Sequence, residues 1–373
     1  MFLRRSKRLN DRLANTSGSN NRVSNETAEQ EARSDLSKEV LELILSRLSL
    51  IDNIRASVVC KNWLAAAVSV RKINKIPWPM DIPERSWFFS FYDLTQGKTH
   101  WLTLPGLRPA AIYYVKYGWL LSFDHYTCRL FFTNPYTRTE IECPKLEGNW
   151  NKVAFSAPPT LPSCIVFTVD EVTPDSVAIH TCHPGDKEWT TMVCENNRNF
   201  CCSLYNRIVV CNGIFYSLST TGWVGVYHTE QCSWKVLPIS PPNCLEIPPV
   251  GDWWKQRFLA EYDGEIVAVY AQIGVVAAVY RLDEVHGFWE KIEDLNGRTF
   301  FASLVTSYIK ADLPGKMGDN IYFPRVQFHK QHRIMYSMRK RRYYPGVKAF
   351  DLSDESLLTN FWIDSPEGPI GGS

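Results

Sequence analysis

One pattern recurs beyond residue 78: an aromatic strand end, a polar turn, then a tryptophan. Tyr92 to Trp101, His180 to Trp189 and Tyr280 to Trp289 are nine residues apart, and Tyr227 to Trp234 is seven. A degenerate copy runs from Phe132 to Ile141 with Asn134-Pro135 in its turn, and a last one from Phe350-Asp351-Leu352 to Phe361-Trp362. Each copy reads as a β-hairpin. A second unit precedes several hairpins: a glycine at a turn, then an alternating strand. It begins at Gly118, Gly213, Gly264 and Gly318. Most of these strands are apolar on both faces, as when sheets pack on either side. The spacing suits four-stranded propeller blades of about 40–50 residues, which gives about six blades, with seven as the neighbouring count. A ring leaves only short, protected edges. Two packed β-sandwiches are the alternative architecture. The strand around Trp87–Tyr92 is expected to help close the ring with the last blade.

The chain before this region has a different character. Trp63 alone of the 13 tryptophans and Gly18 alone of the 20 glycines precede residue 77. Residues 34–76 hold no glycine or proline. Leu36, Val40, Leu41, Ile44, Leu45 and Leu48 follow helical spacing and form one stripe. Ser37 can cap that helix, and Glu39 suits its positive end. Asp52 is placed as the N-cap of a second short helix carrying Ile54 and Val58. Val59, Cys60, Trp63 and Leu64 are assigned to a third. A piece of about 40 residues rarely buries enough surface to stand alone. The expected division is a disordered basic and polar tail over 1–33, a helical module over 34–76, a β-propeller over 77–364 and a flexible tail over 365–373.

Composition narrows function mainly by exclusion. Lys and Arg number 41 against 39 Asp and Glu, a net charge of +2, so no global charge argues for nucleic acid or an anionic membrane. No apolar run reaches the roughly 18 residues of a membrane span. The 11 cysteines are odd in number and scattered, which favours reduced thiols and a nuclear or cytoplasmic setting. Arg4, Arg5, Lys7, Arg8 and Arg12 open the chain. They read as a nuclear-import patch, an organellar transit segment or a solvated basic terminus.

Catalytic and metal motifs are missing from the sequence. There is no Gly-x-Ser-x-Gly, no phosphate loop and no His-Glu-x-x-His, so no catalytic residue and no cofactor is assigned. His180 with Cys182 and His183, and His329 with His332, lack the second pair of a tetrahedral metal site, so no metal is assigned. Cys201 and Cys202 read as core packing, in a strand and facing opposite ways. Asp351 and Asp354 fit a surface turn. The sharpest charge feature is 325–348, which carries eight Lys and Arg without an acid, interleaved with Phe328, Tyr336, Tyr343 and Tyr344. It is expected as a basic insertion near 325–346, and Arg339, Lys340, Arg341 and Arg342 are its candidate target-binding residues. Basic residues among stacking rings suit RNA or an acidic protein.

The stretch Leu36-Ser37-Lys38-Glu39-Val40-Leu41-Glu42-Leu43-Ile44-Leu45-Ser46-Arg47-Leu48, then Asp52, then Val58-Val59-Cys60-Lys61-Asn62-Trp63, resembles an F-box. That resemblance implies docking to the Skp adaptor of a cullin–RING ubiquitin ligase. Carried over by position, Leu36, Ser37, Val40, Leu41, Ile44, Leu45, Leu48, Val59, Cys60 and Trp63 form or support the adaptor face. Ser37 stands where the family usually has proline, so docking is expected to be weakened. The later Gly-Asp-Asn-Ile-Tyr-Phe strand and Val347-Lys348-Ala349-Phe350-Asp351-Leu352 resemble plant F-box proteins with a KIB-type propeller. Together these imply a non-catalytic substrate receptor, with the propeller holding an unidentified protein for ubiquitination. A propeller that binds RNA or an acidic protein through 325–348, outside any ligase, is the alternative; nucleic acid is the lesser partner and no membrane is implied.

Overall fold

The computed structural model describes residues 36–48, 50–70, 76–81, 88–94, 98–103, 110–145, 152–173, 175–202, 208–242, 256–271, 276–326, 333–344 and 360–364. Among the described residues three helices, α1 (Lys38–Ser46), α2 (Leu50–Ala56) and α3 (Lys61–Val70), precede six sheets. Each sheet is one blade of a propeller. Blade 2 spans 111–142, blade 3 153–195, blade 4 208–236, blade 5 256–292 and blade 6 299–344. Blade 1 draws on both ends of the chain: Trp78–Asp81, Phe88–Asp93 and Lys98–Thr103 are completed by Asn360–Ile363. Successive inner strands touch around a closed circuit, from 360–363 to 111–116, 153–155, 208–211, 256–262 and 308–310, and 320–326 returns to 360–363. The ring therefore has six blades.

Closure is made by Trp78–Asp81. Trp78 pairs with Ile363, Pro79 with Trp362, Met80 with Phe361 and Asp81 with Asn360. The strand Phe88–Asp93 lies one position further out, so it shares the closing sheet without pairing with the last strand. Trp362 thus sits on an inner strand rather than in an outer hairpin; residues 350–359 of that last repeat lie outside the described residues. Side-chain bonds seal the junction. The Trp362 indole donates to Ala302 O at 2.9 Å, Tyr136 hydroxyl to Asp364 O at 2.7 Å and Tyr308 hydroxyl to Val115 O at 2.6 Å.

The sequence repeats map onto defined strand pairs. Ser90 faces Trp101, Phe132 faces Ile141, Tyr227 faces Trp234 and Leu282 faces Trp289, all in outer hairpins. The turn glycines close the inner hairpins of three blades. Tyr117-Gly118, Asn212-Gly213 and Asp263-Gly264 all have positive φ at both positions. That is the two-residue turn whose twist matches paired strands. The strands that follow are buried on both faces, as at Trp119–Asp124 and Glu265–Ala271.

Several local expectations are corrected. Helix α2 starts at Leu50, so Asp52 lies in its first turn, paired with Arg55 at 3.3 Å, instead of capping it. Val59 and Cys60 precede α3, which begins at Lys61. Cys201 and Cys202 lie in a connection, not a strand. Residues 333–344 are no insertion: Arg333–Ser337 and Arg342–Tyr344 pair as the outer hairpin of blade 6. Ile334 and Tyr336 are buried in the blade there, while the charged turn 339–342 is exposed. Residues 327–332 lie outside the described residues.

Candidate functional site

Packing of the helical module divides its apolar residues into two sets. Leu41 and Leu45 of α1 are buried against Ala66 and Ala67 of α3, with Trp63, Ala56 and Val70 around them. Buried Asn53 of α2 donates its amide to Leu45 O at 3.4 Å and Ala67 O at 3.2 Å, so one side chain ties three helices together. Ser69 hydroxyl reaches Glu42 at 2.7 Å and adds a link between α1 and α3. Small residues at 66 and 67 let the helices approach closely.

The second set faces outward. Val40 and Ile44 on α1 and Leu36 and Leu48 just beyond its two ends are exposed, and Val59 beyond α2 is 64% exposed. Ser37 and Cys60 are exposed beside them. The ten expected adaptor residues thus split: Leu41, Leu45 and half-buried Trp63 support, while the other seven present a surface. Leu43, at 57%, and Val58 are exposed on the same side, though the motif alone does not single them out. The spacing carries the signal, since Leu36, Val40 and Leu43 follow helical steps, but along the sequence two adjacent stripes look like one. An apolar face this continuous on so small a module marks an interaction surface.

At the start of α1, Ser37 occupies the N-cap, and its O accepts from Leu41 N at 3.0 Å. Its side chain makes no bond to the helix backbone. Glu39's own backbone N–H and the Ser37 hydroxyl bond the Glu39 carboxylate and hold its pKa below the usual value.

The module is seated on the propeller. Ile54 of α2 is 2% exposed, within a cluster that includes Trp78, Met80, Phe89, Phe91 and Phe361 of blade 1. Next to it, the Arg55 guanidinium reaches Trp101 O on the outermost strand of that blade at 3.5 Å. The exposed apolar face is therefore held in a fixed relation to the ring.

A second candidate surface is the turn of the blade 6 outer hairpin. Arg339, Lys340, Arg341 and Arg342 are all exposed. Arg341 pairs with Glu293. Arg342 lies 4.7 Å and Lys340 5.6 Å from the ring centre of Tyr344. The slight desolvation of the Tyr344 phenol is outweighed by hydrogen bonds from both cations, which hold its pKa below its usual value. Tyr336 and Tyr343, the other described rings of the segment, pack into the blade. Tyr336 is buried and meets Tyr343 edge-on at 4.9 Å. Burial pushes both phenols up. The described rings that could have stacked bases are thus packed in the blade or covered by cations.

His180 hydrogen-bonds Thr191 across its hairpin at 2.9 Å, and His183 bonds Cys164 O at 2.8 Å. His329, His332, Phe328, Asp351 and Asp354 lie outside the described residues. Among the described residues no group of three His, Cys, Asp or Glu could hold a metal ion.

Known proteins combine the same two parts. A family model of the F-box domain matches residues 33–75, and one of the KIB1-4 beta-propeller matches 90–347. The Arabidopsis thaliana F-box/kelch-repeat protein At1g57790 is 33% identical over 340 residues, covering 89% of this chain and 94% of the relative. The F-box protein At3g56470 of the same plant is 35% identical over 333 residues, covering 88% and 87%. The F-box/kelch-repeat protein KIB1, also from Arabidopsis thaliana, is 25% identical over 330 residues, covering 81% and 80%.

Proposed function

Since this chain belongs to the plant F-box proteins with a KIB-type β-propeller, we propose that it is the substrate-recognition subunit of a Skp–cullin–F-box ubiquitin ligase. The architecture is that of an F-box substrate receptor. The observation that carries the finer reading is the outward face of Leu36, Val40, Leu43, Ile44, Leu48, Val58 and Val59, built on a fully packed seam. Burying five such side chains is worth roughly 8–15 kcal/mol gross at about 1.5–3 kcal/mol each. Association costs of about 4–15 kcal/mol oppose this. A stable adaptor complex is within reach.

The work is proximity, and the chain needs no catalytic group of its own. The helical module holds the adaptor, the propeller holds the target, and the buried Ile54 seam fixes the two at one separation. This raises the target's effective concentration at the ubiquitin-charged partner. On the propeller, the Arg339–Arg342 turn is the target-side surface we favour. Its cations suit the carboxylates of an acidic protein segment. Tyr336 and Tyr343 pack against each other in the blade, which favours an acidic protein segment over RNA.

Co-expression with a tagged Skp adaptor and cullin tests this reading. The intact chain is expected to co-elute with both, and Ile44→Asp with Val59→Asp is expected to abolish co-elution. A folded intact chain that never joins them would end the proposal. Charge reversal of Arg339 and Arg342 is expected to lower target recovery while adaptor binding is unchanged.

A further inference from the structure

The repeated outer-hairpin tryptophan is not treated alike around the ring. In blade 4, Trp234 is 9% exposed and donates its indole N–H to Asn196 Oδ1 at 2.9 Å. Trp189, at the same place in blade 3, is half-buried and donates to Lys145 O at 3.2 Å. Each of these bonds reaches the connection that leads into the blade. In blade 5, Trp289 is 8% exposed. In blade 1, Trp101 stands 54% exposed on the outermost strand. Packing between blades accounts for the first three and not for Trp101.

Its position is the informative part. Trp101 O is the group that Arg55 of α2 reaches. Val58 is one turn beyond, its N–H bonding Arg55 O at 3.4 Å, and the exposed Val58–Val59 pair follows. Trp101, the exposed tryptophan among the described residues of the ring, thus has its backbone beside the end of α2 from which that apolar pair follows. Ile54, buried in the blade 1 cluster, prevents the two from moving apart.

We infer that Trp101 extends the adaptor-docking surface from the F-box onto the propeller, so that one adaptor covers Val58, Val59 and Trp101 together. This rests on the reading of the helical face as the adaptor site. Tryptophan is the side chain most often found as an energetic anchor at interfaces, because it offers a large rigid area at little entropic cost. A contact from the propeller would also fix the orientation of the target-binding ring relative to the ligase.

The test measures affinity of the purified full-length chain for the purified Skp adaptor by biolayer interferometry. Trp101→Ala is expected to weaken binding about tenfold or more, with Trp101→Phe retaining most of it. Leu161→Ala, an exposed apolar residue in blade 3, is expected to change nothing. Thermal melting of each variant separates lost contact from lost fold. Wild-type affinity in Trp101→Ala, alongside loss of binding in Val59→Asp, would overturn the inference while leaving the helical face as the adaptor site. So would a change in oligomeric state with unchanged adaptor affinity, which would assign Trp101 to a second copy of this chain. No binding by the intact chain would overturn the reading of the face, and this inference with it.

Discussion

At position 37 the chain carries serine with φ −58° and ψ 151°. Proline holds φ near −65°, so the backbone already has the shape the family residue would impose. Ser37→Pro removes the hydroxyl that bonds Glu39 but lowers the entropy of the unfolded chain. A gain of about 0.4–1 kcal/mol in stability of the helical module is expected, read by thermal melting. Adaptor affinity should rise with it, and a fall would show that the serine hydroxyl contributes to docking. Ile54 is the other decisive residue. Ile54→Ala should cost about 2–5 kcal/mol because it empties a buried site between module and ring. Limited proteolysis should then release the module from the propeller; unchanged protection would mean that the seam holds without it.

Single elements show how tightly each blade is fitted. A Cβ added at Gly225 would lie 2.0 Å from the Trp234 ring and 3.0 Å from Phe200. Gly225→Ala must displace the tryptophan that anchors blade 4, at an expected cost of about 1–3 kcal/mol in denaturant unfolding. Glu265 joins Arg281 at 2.8 Å to Arg298 at 3.0 Å, binding blade 5 to the connection before blade 6. Partial burial of Glu265 is outweighed by the two guanidiniums, which hold its pKa below the usual 4.5. A depressed carboxylate stabilises the fold above its unfolded pKa, and that contribution is lost as pH falls through the folded value. Melting temperature should therefore decline below about pH 4.5, and Glu265→Gln should flatten that decline. An unaltered slope would remove Glu265 from the account.

At the scale of the molecule, the ring was legible because its repeats are physical necessities. Two-residue turns need positive φ, as at Asn212-Gly213, and sheets that stack need strands such as Glu265–Ala271 that are apolar on both faces. The helical module was legible through its spacing and motif. Three features were not. The basic segment near 325–346 reads as an insertion because charge dominates the pattern, yet Tyr336 pairs with Tyr343 across the outer hairpin of blade 6. The burial of Leu41 and Leu45 against the exposure of Leu43 depends on where α3 packs, and spacing along α1 does not reveal it. Trp101 matched the other tryptophans in sequence; only the seat of α2 on blade 1 distinguishes it. The central claim is that the outward helical face captures the adaptor. Titration calorimetry of purified Skp adaptor into the intact chain tests it most directly, with Ile44→Asp as comparison. The account predicts one-to-one binding by the intact chain and none by the variant, with both melting alike. A folded intact chain that gives no heat of binding, or a variant that binds as well, would contradict it.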